Sequence, residues 1–490
     1  MSKPPKTFYW HDYETFGANP MVDRPVQFAG IRTDEELNII GEPLVVFCKP
    51  ADDFLPHPEA CLITGITPQQ ALSEGVPEAH FSALIHEQLA QPGTCGVGYN
   101  SIRFDDEITR FTFYRNFIDA YGREWQNGNS RWDIIDVLRL ARALRPEGIN
   151  WPVHEDGRPS LRLEDLTVAN GIEHGNAHDA LSDVYATIAV AKLLKTKQPK
   201  LYHYALQLRD KRKVADMLDV HGHKPVLHIS SKYPAELGNA AVVAPLATHP
   251  INKNGVIVYD LRIDPTPLLE LDADSIRQRL YTPVSELAEG EVRIPLKVVH
   301  VNRSPIIAPA SMLNAEEAER LQISGAQCRT HLAMLRGHPE LKAKLQAVFS
   351  ESGFEPSSDP DQMLYSGGFF GQTDKAAMEQ IRTCPVDELA NLDPCFQDGR
   401  LEEMFFRYRA RNYLETLSDE EQLRWEEFRR ERLLGVCSSD SAETFRSEKT
   451  LGFEDFYKRL NELGLSADIT EEKMHILQEL ATYAESIYPM

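Results

Sequence analysis

The sequence predicts an α/β domain with two further domains behind it. Its first 195 residues alternate strand-like and helix-like segments, short β-branched runs follow, and the chain after Glu351 has helical spacing and an acidic excess. At 490 residues the chain is too long for a single core, and length alone suggests about three domains.

Lys6–Glu14 and Val26–Ile31 read as strands, with Leu44–Phe47 a shorter run of the same kind. Thr67-Pro68 is a helix start, threonine as cap and proline at the first helical position. Phe104–Phe117 and Asp179–Leu194 carry helical apolar spacing. Strands interleaved with helices predict helices layered on a mixed sheet. Composition shifts at Lys195–Lys200. The runs Val226–Ile229, Ala241–Val243, Val256–Tyr259 and Arg293–Val301, with Asn252-Lys253-Asn254-Gly255 as a turn, predict a small all-β unit. Helical spacing returns over Ala315–Phe349, and Glu351–Asp361 reads as a second linker. Helices are predicted beyond it at Met404–Glu415, Asp419–Leu434 and Glu471–Ile487. Within the first of these, Phe405 to Arg411 alternates aromatics and arginines, read as core rings with solvated cations. No internal repeat is present.

Hydrophobic content of 42% and charged content of 26% are those of an ordinary globular protein. The N-terminus lacks the apolar stretch of a signal peptide, and no apolar run is long enough to cross a membrane as a helix. Seven scattered cysteines, odd in number and never spaced CxxC, suggest reduced, buried thiols and a cytoplasmic address. Net charge is −22, but Glu351 to Met490 holds 30 acids against 15 bases, so most of the excess lies there. Overall acidity lowers the expectation of a polyanionic partner without excluding one. Phosphate contacts act over about 10 Å, not over a whole molecule.

The sharpest local signal is His11-Asp12-Tyr13-Glu14-Thr15 at the end of an apolar strand. Strand side chains repeat every two residues, so Asp12 and Glu14 share a face. Adjacent carboxylates repel unless cations intervene, and hard oxygen ligands suit Mg²⁺ or Mn²⁺. Two further segments carry acids at helix starts: Asn100 to Glu107 (NSIRFDDE), and Asn176 to Asp183, where His178 precedes Asp183 by five residues and would stand ahead of the helix with Asp183 in an early turn. Each alone reads as a solvated or capping group, because acids favour helix N-termini anyway.

In this order, Asp-x-Glu, Asn-x-x-x-Phe-Asp and His-x-x-x-x-Asp form the pattern of the DEDDh exonucleases, and Leu62 to Thr67 resembles the TGIT segment of that fold. HDYETFG, GYNSIRFDDE, SRWDIIDVLRLARALRPEGINWP and NAHDALSDVYATIA together resemble the bacterial exonuclease I family, as do VVAPLATHP, LLELDADSIRQRLYT and FRYRARN further on. The resemblance covers nearly all of the chain and weakens after about Arg432.

It implies an RNase H-like α/β exonuclease domain (1–196), an SH3-like β-rich domain with a helical extension (199–352) and a helical C-terminal domain (355–490). The activity implied is 3′→5′ hydrolysis of single-stranded DNA to nucleoside 5′-monophosphates by a two-metal-ion mechanism, in DNA repair and recombination. Asp12, Glu14, Asp105 and Asp183 would hold two Mg²⁺, with Mn²⁺ able to replace it. Asp106 is an alternative to Asp105, which is preferred because it directly follows Phe104. His178 is the candidate general base, since imidazole titrates near working pH.

The substrate-binding set is Glu14, Arg110, Arg139, Arg162, Tyr121 and Trp125: guanidinium forks suit phosphates, aromatic faces suit unstacked bases. A monomer is expected. The single-stranded DNA-binding protein, through its acidic tail, is an implied partner, with Arg145 and Arg336 as receivers. A chain ending near Lys200 is expected, if it folds, to cut short oligonucleotides but release long strands after few steps. The alternatives are a catalytically weak single-strand-binding scaffold and a DEDDh exoribonuclease. The roughly 300 residues behind the first domain argue against the latter.

Overall fold

A computed structural model describes residues 6–175, 179–351, 357–435, 450–467 and 469–489. The chain forms two compact units. The first takes residues 1–130, 175–185 and 356–490; the second takes 131–174 and 186–355. The N-terminal 130 residues thus fold with the C-terminal helices.

In the first unit, β1 (Thr7–Thr15), β2 (Pro25–Thr33) and β3 (Leu44–Phe47) form an antiparallel meander. After α1 (Pro58–Thr64), α2 (Pro68–Glu74) and α3 (Glu78–Leu89), β4 (Thr94–Gly98) adds parallel to β1, giving the order β3-β2-β1-β4. β1 is the central strand, and seven of its nine residues, all but Thr7 and Asp12, are buried, as an inner strand between two packed faces requires. The Thr67 cap forms as read: its hydroxyl accepts from the Gln70 N–H, with Pro68 at the first helical position. β4 ends at Gly98, where a Cβ would lie 2.6 Å from Ser101 Cβ and 3.0 Å from the His11 carbonyl oxygen. Asn100, in the left-handed region at φ 65°, then turns the chain into α4 (Asp105–Arg115).

The second unit begins with β5 (Ser130–Asp133, from its second residue), α5 (Ile134–Leu144) and α6 (Leu163–Ala169). The chain then passes along α7 (Ala180–Lys197), whose first turns belong to the first unit. Beyond α8 (Pro199–Gln207) and α9 (Lys211–Met217) lies an antiparallel sheet of β6 (Val226–Ile229), β7 (Ala240–Thr248), β8 (Gly255–Asp260), β9 (Leu296–His300) and β10 (Ile306–Pro309), in the order β10-β6-β7-β8-β9. A bulge between Pro245 and Ala247 accommodates the missing proline N–H. The predicted β runs fall on β6 to β9. The helical spacing over 315–349 resolves into three helices, Ala315–Arg320, Gly325–Arg336 and Leu341–Val348.

The C-terminal part of the first unit contains helices Gln372–Thr383, Arg400–Asn412, Asp419–Leu434, Phe453–Gly464 and Glu471–Ser486. Phe16, Val26, Phe54, Leu55 and Ile66 share one core with Leu433, Phe456, Leu480, Tyr483 and Ile487. The run at 405–411 corrects the sequence reading. Phe405, Phe406 and Tyr408 are core rings as expected, but its arginines are not solvated. The Arg407, Arg409 and Arg411 side chains are 0%, 9% and 7% exposed. Arg407 pairs with Asp359 at 2.6 Å and Asp361 at 3.0 Å, Arg411 with Asp361 at 2.7 Å and Asp53 at 2.9 Å, and Arg409 with Glu421. Burying a guanidinium is tolerable only against such carboxylates, and those partners are remote in sequence.

Cys48, Cys61, Cys95 and Cys328 are free buried thiols, but Cys384 is half-buried and Cys395 exposed, which corrects the expectation for those two. They sit at a helix end and in a loop, where no core encloses them. Cys437 lies outside the described residues. No described helix is long and apolar enough to cross a membrane.

Candidate active site and metal centre

β1 carries Asp12 opposite Ala29 of β2 and Glu14 opposite Gln27, so the two acids rise two residues apart on one face. Asp183 comes from the first turn of α7. That helix start is fixed twice. Asp179 accepts from the Ser182 N–H at 2.9 Å, and the Gln27 side chain accepts from the Ala180 N–H at 3.4 Å. Oxygens of Asp12, Glu14 and Asp183 all lie within 4.8 Å of one another. Asp105, first residue of α4 and 3% exposed, accepts the Tyr13 N–H at 3.1 Å, which ties that helix start to β1. Thr109, one turn on, bonds both the Asp105 carbonyl and the Tyr13 hydroxyl.

The electrostatics of this cluster call for a cation. Burial is the main cause that raises the Asp12 carboxyl well above the usual range, and the charges of Asp105, Glu14 and Asp183 add to it. Only a backbone hydrogen bond at Tyr13 acts the other way. Burial, then Asp183, Asp105 and Asp179, push Glu14 up to about 8. Crowded carboxylates in low dielectric hold protons unless positive charge replaces them. An all-oxygen donor set of this density fits a hard divalent ion.

A linkage result is expected from this. The folded, metal-free protein keeps a proton on Glu14 that the unfolded chain releases near its ordinary carboxyl value. Stability therefore falls as pH rises through that value towards about 8. In EDTA, thermal unfolding of the wild type should weaken relative to Glu14→Gln between pH 5 and 9, and a divalent ion should flatten the difference. A pH-independent difference in EDTA would mean that Glu14 does not carry the shared proton.

Asp106, the alternative to Asp105, is engaged elsewhere: it pairs with Arg123 at 2.5 Å, both side chains almost wholly buried. His11, buried beside Arg123, is pushed down to about 4 by burial first and by that guanidinium second. Neither Arg123 nor His11 was given a role from the sequence, although His11 opens the acidic motif of β1. His178 lies outside the described residues.

The proposed DNA contacts fall into two groups. Arg110 is buried, its guanidinium held by Glu124 at 2.7 and 2.9 Å and by Glu107 at 2.8 Å, and it lies 5.3 Å over the Tyr121 ring. Its guanidinium is thus engaged by the protein's own carboxylates. Tyr121 is half-buried against Arg110 and Phe369, whereas Trp125 is 67% exposed. In the second unit, Arg139 pairs with Asp136 at 2.5 Å with its side chain 10% exposed. Arg162 stands at the residue before α6 with its side chain 63% exposed, paired with Glu164 at 2.5 Å. Arg145 pairs with Glu317, and Arg336 donates to the carbonyls of Gly222 and His223.

Two carboxylates on the central strand of a mixed sheet and a third from the first turn of α7, within a segment that matches the general family model "Exonuclease" over residues 9–191, define a metal-binding exonuclease domain. Residues 209–351 match the exonuclease I SH3-like domain and 358–487 the exonuclease I C-terminal domain. The chain belongs to the exonuclease I family. It is 50% identical to exodeoxyribonuclease I of Escherichia coli K12 over 486 residues, 99% of each protein. Among solved structures it resembles exonuclease I of the moderately thermophilic Methylocaldum szegediense, with TM-score 0.92, 52% identity and 98% and 99% of the two chains covered. It also resembles the zinc-bound form of the E. coli enzyme–single-stranded DNA complex, with TM-score 0.92, 48% identity and 99% and 100% covered. Similarity thus runs well past Arg432, where the sequence motifs alone suggested that it fades.

Proposed function

We propose that the protein is a 3′→5′ exodeoxyribonuclease that hydrolyses single-stranded DNA to nucleoside 5′-monophosphates in DNA repair and recombination. The observation that carries this is the convergence of Asp12, Glu14 and Asp183 within 4.8 Å, with Asp105 beside them. It is supported by full-length similarity to exodeoxyribonuclease I and to a complex with single-stranded DNA. That similarity spans all three matched domains and disfavours both the exoribonuclease and the inert scaffold.

We assign Asp12, Glu14, Asp105 and Asp183 as ligands of two Mg²⁺, replaceable by Mn²⁺. Bound there, the ions would make water nucleophilic near neutral pH and offset charge on the departing 3′ oxygen. The chain's own groups do the remainder. Tyr13 N–H and the α7 cap hold the acids in register, and His178 accepts the proton of the attacking water. Glu14 also faces the terminal nucleotide. Arg110, Arg139, Arg162, Tyr121 and Trp125 are the substrate contacts, of which Arg162 and Trp125 are the most exposed. The domain division 1–196, 199–352 and 355–490 is supported by the three matched segments. We further propose a cytoplasmic monomer that receives the acidic tail of single-stranded DNA-binding protein near Arg145 and Arg336.

Two outcomes follow. A duplex end must be unpaired before its 3′ terminus reaches the acids, at about 1.4 kcal/mol per base-pair step. Single strands should therefore be digested rapidly and blunt duplex slowly, and equal rates in a gel time course would refute the strand preference. Arg162→Ala should weaken single-strand binding and lower the slope of log affinity against log salt by about 0.7, the share of one phosphate contact. An unchanged slope in a fluorescence titration would remove Arg162 from the interface.

A further inference from the structure

The turn Gly122–Glu124 sits behind α4 and grips it at two points. Asp119 fixes the turn by accepting the N–H groups of Tyr121 and Gly122 at 2.9 and 3.0 Å. From it Glu124 holds Arg110 bidentately, and Arg123 reaches Asp106 at 2.5 Å, with the two side chains 1% and 2% exposed. The space that Arg123 occupies is left by Gly96 of β4, where a Cβ would lie 3.1 Å from Nη1. Asp105 and Asp106 are consecutive in the first turn of α4, so their side chains diverge by about 100°. With Asp106 held on one side, Asp105 is aimed at Tyr13 and the carboxylate cluster on the other.

We infer that Arg123 is a positioning residue for the metal site: acting through Asp106, it sets the rotation of the α4 start and hence the direction of Asp105. The inference rests on Asp105 being a metal ligand. Without Arg123, Asp106 would be a buried carboxylate with its cation removed. The helix start would turn to expose it, or it would join the acidic cluster as a further like charge. Either change draws Asp105 off its line. Outer-shell partners of this kind command ten- to hundredfold in metal affinity.

The test is Mn²⁺ binding to the full chain, followed by electron paramagnetic resonance without DNA, beside thermal unfolding in EDTA. Arg123→Met should bind Mn²⁺ at least tenfold more weakly. Arg123→Lys, which keeps a charge able to reach one oxygen, should recover most of the affinity. The Asp106→Asn/Arg123→Met double variant should lose no more than Arg123→Met alone, because the two residues act as a unit. Wild-type Mn²⁺ affinity in a folded Arg123→Met overturns the inference, as does a lowered melting temperature with unchanged affinity. If Arg123→Met does not fold, Asp106→Asn is read against the same tenfold criterion. A wild type that binds no Mn²⁺ would instead overturn the metal assignment itself.

Discussion

Asp12→Asn is expected to abolish nucleotide release while making the metal-free protein more stable. Asp12 feels all three of its acidic neighbours, and burial compounds their repulsion. Asparagine keeps the shape and removes the charge, so the like-charge strain in the empty cluster is relieved. A ligand oxyanion is lost with it. Turnover should fall by more than about 10³-fold, beyond the ten- to hundredfold tied to outer-shell partners. The melting temperature in EDTA should rise by a few degrees, the usual opposition between a strained site and stability. Asp183→Asn should behave alike. A folded Asp12→Asn with near-normal turnover would remove the cluster from catalysis, and a less stable one would contradict the electrostatic account.

Removing residues 357–490 is expected to prevent folding of the nuclease part, not merely to shorten its runs along DNA. Cutting of short oligonucleotides by a chain ending near Lys200 was expected only if that chain folds, and the shared core makes this condition unmet. Phe16, Val26, Phe54, Leu55 and Ile66 bury themselves against the C-terminal helices. Each large apolar side chain returned to water costs about 1.5–3 kcal/mol, so even partial exposure of the five approaches the 5–15 kcal/mol by which a domain is stable. Asp53, fully buried, would lose Arg411 and Arg432 as well. Phe16 directly follows the strand end that presents Glu14, so the loss reaches the site. The expected result is insoluble protein or a broad, non-cooperative unfolding transition. A soluble, cooperatively folded 1–356 chain that cleaves short oligonucleotides would show that the C-terminal helices are dispensable for the fold.

The acidic site was legible because its geometry is local. Asp12 and Glu14 follow from strand alternation, and Asp105 and Asp183 from helix starts that carry their own signals. Asp419–Leu434 has the bounds read from the sequence because Ser418 and Glu421 form a capping box and Gly435 ends the helix in the left-handed region. β4 was not picked out: Thr94-Cys95-Gly96-Val97-Gly98 is short, buried throughout and broken by two glycines, so it has no alternation to show. The arginines proved hardest to read. Arg110, Arg407 and Arg411 look like available cations until their carboxylates are known, and Glu124, Asp359, Asp361 and Asp53 are brought to them only by the tertiary fold. Arg123 was hidden for the same reason.

The central claim is metal-dependent removal of nucleotides from the 3′ end of a single strand, and one labelling experiment tests it most directly. The full-length protein is incubated with one oligodeoxynucleotide labelled at either the 3′ or the 5′ end, in Mg²⁺ and in EDTA. In Mg²⁺ the 3′ label should leave at once as a 5′-mononucleotide, the 5′ label should be retained until the strand is nearly consumed, and EDTA should stop both. Early release of the 5′ label, or digestion that continues unchanged in EDTA, would contradict the account.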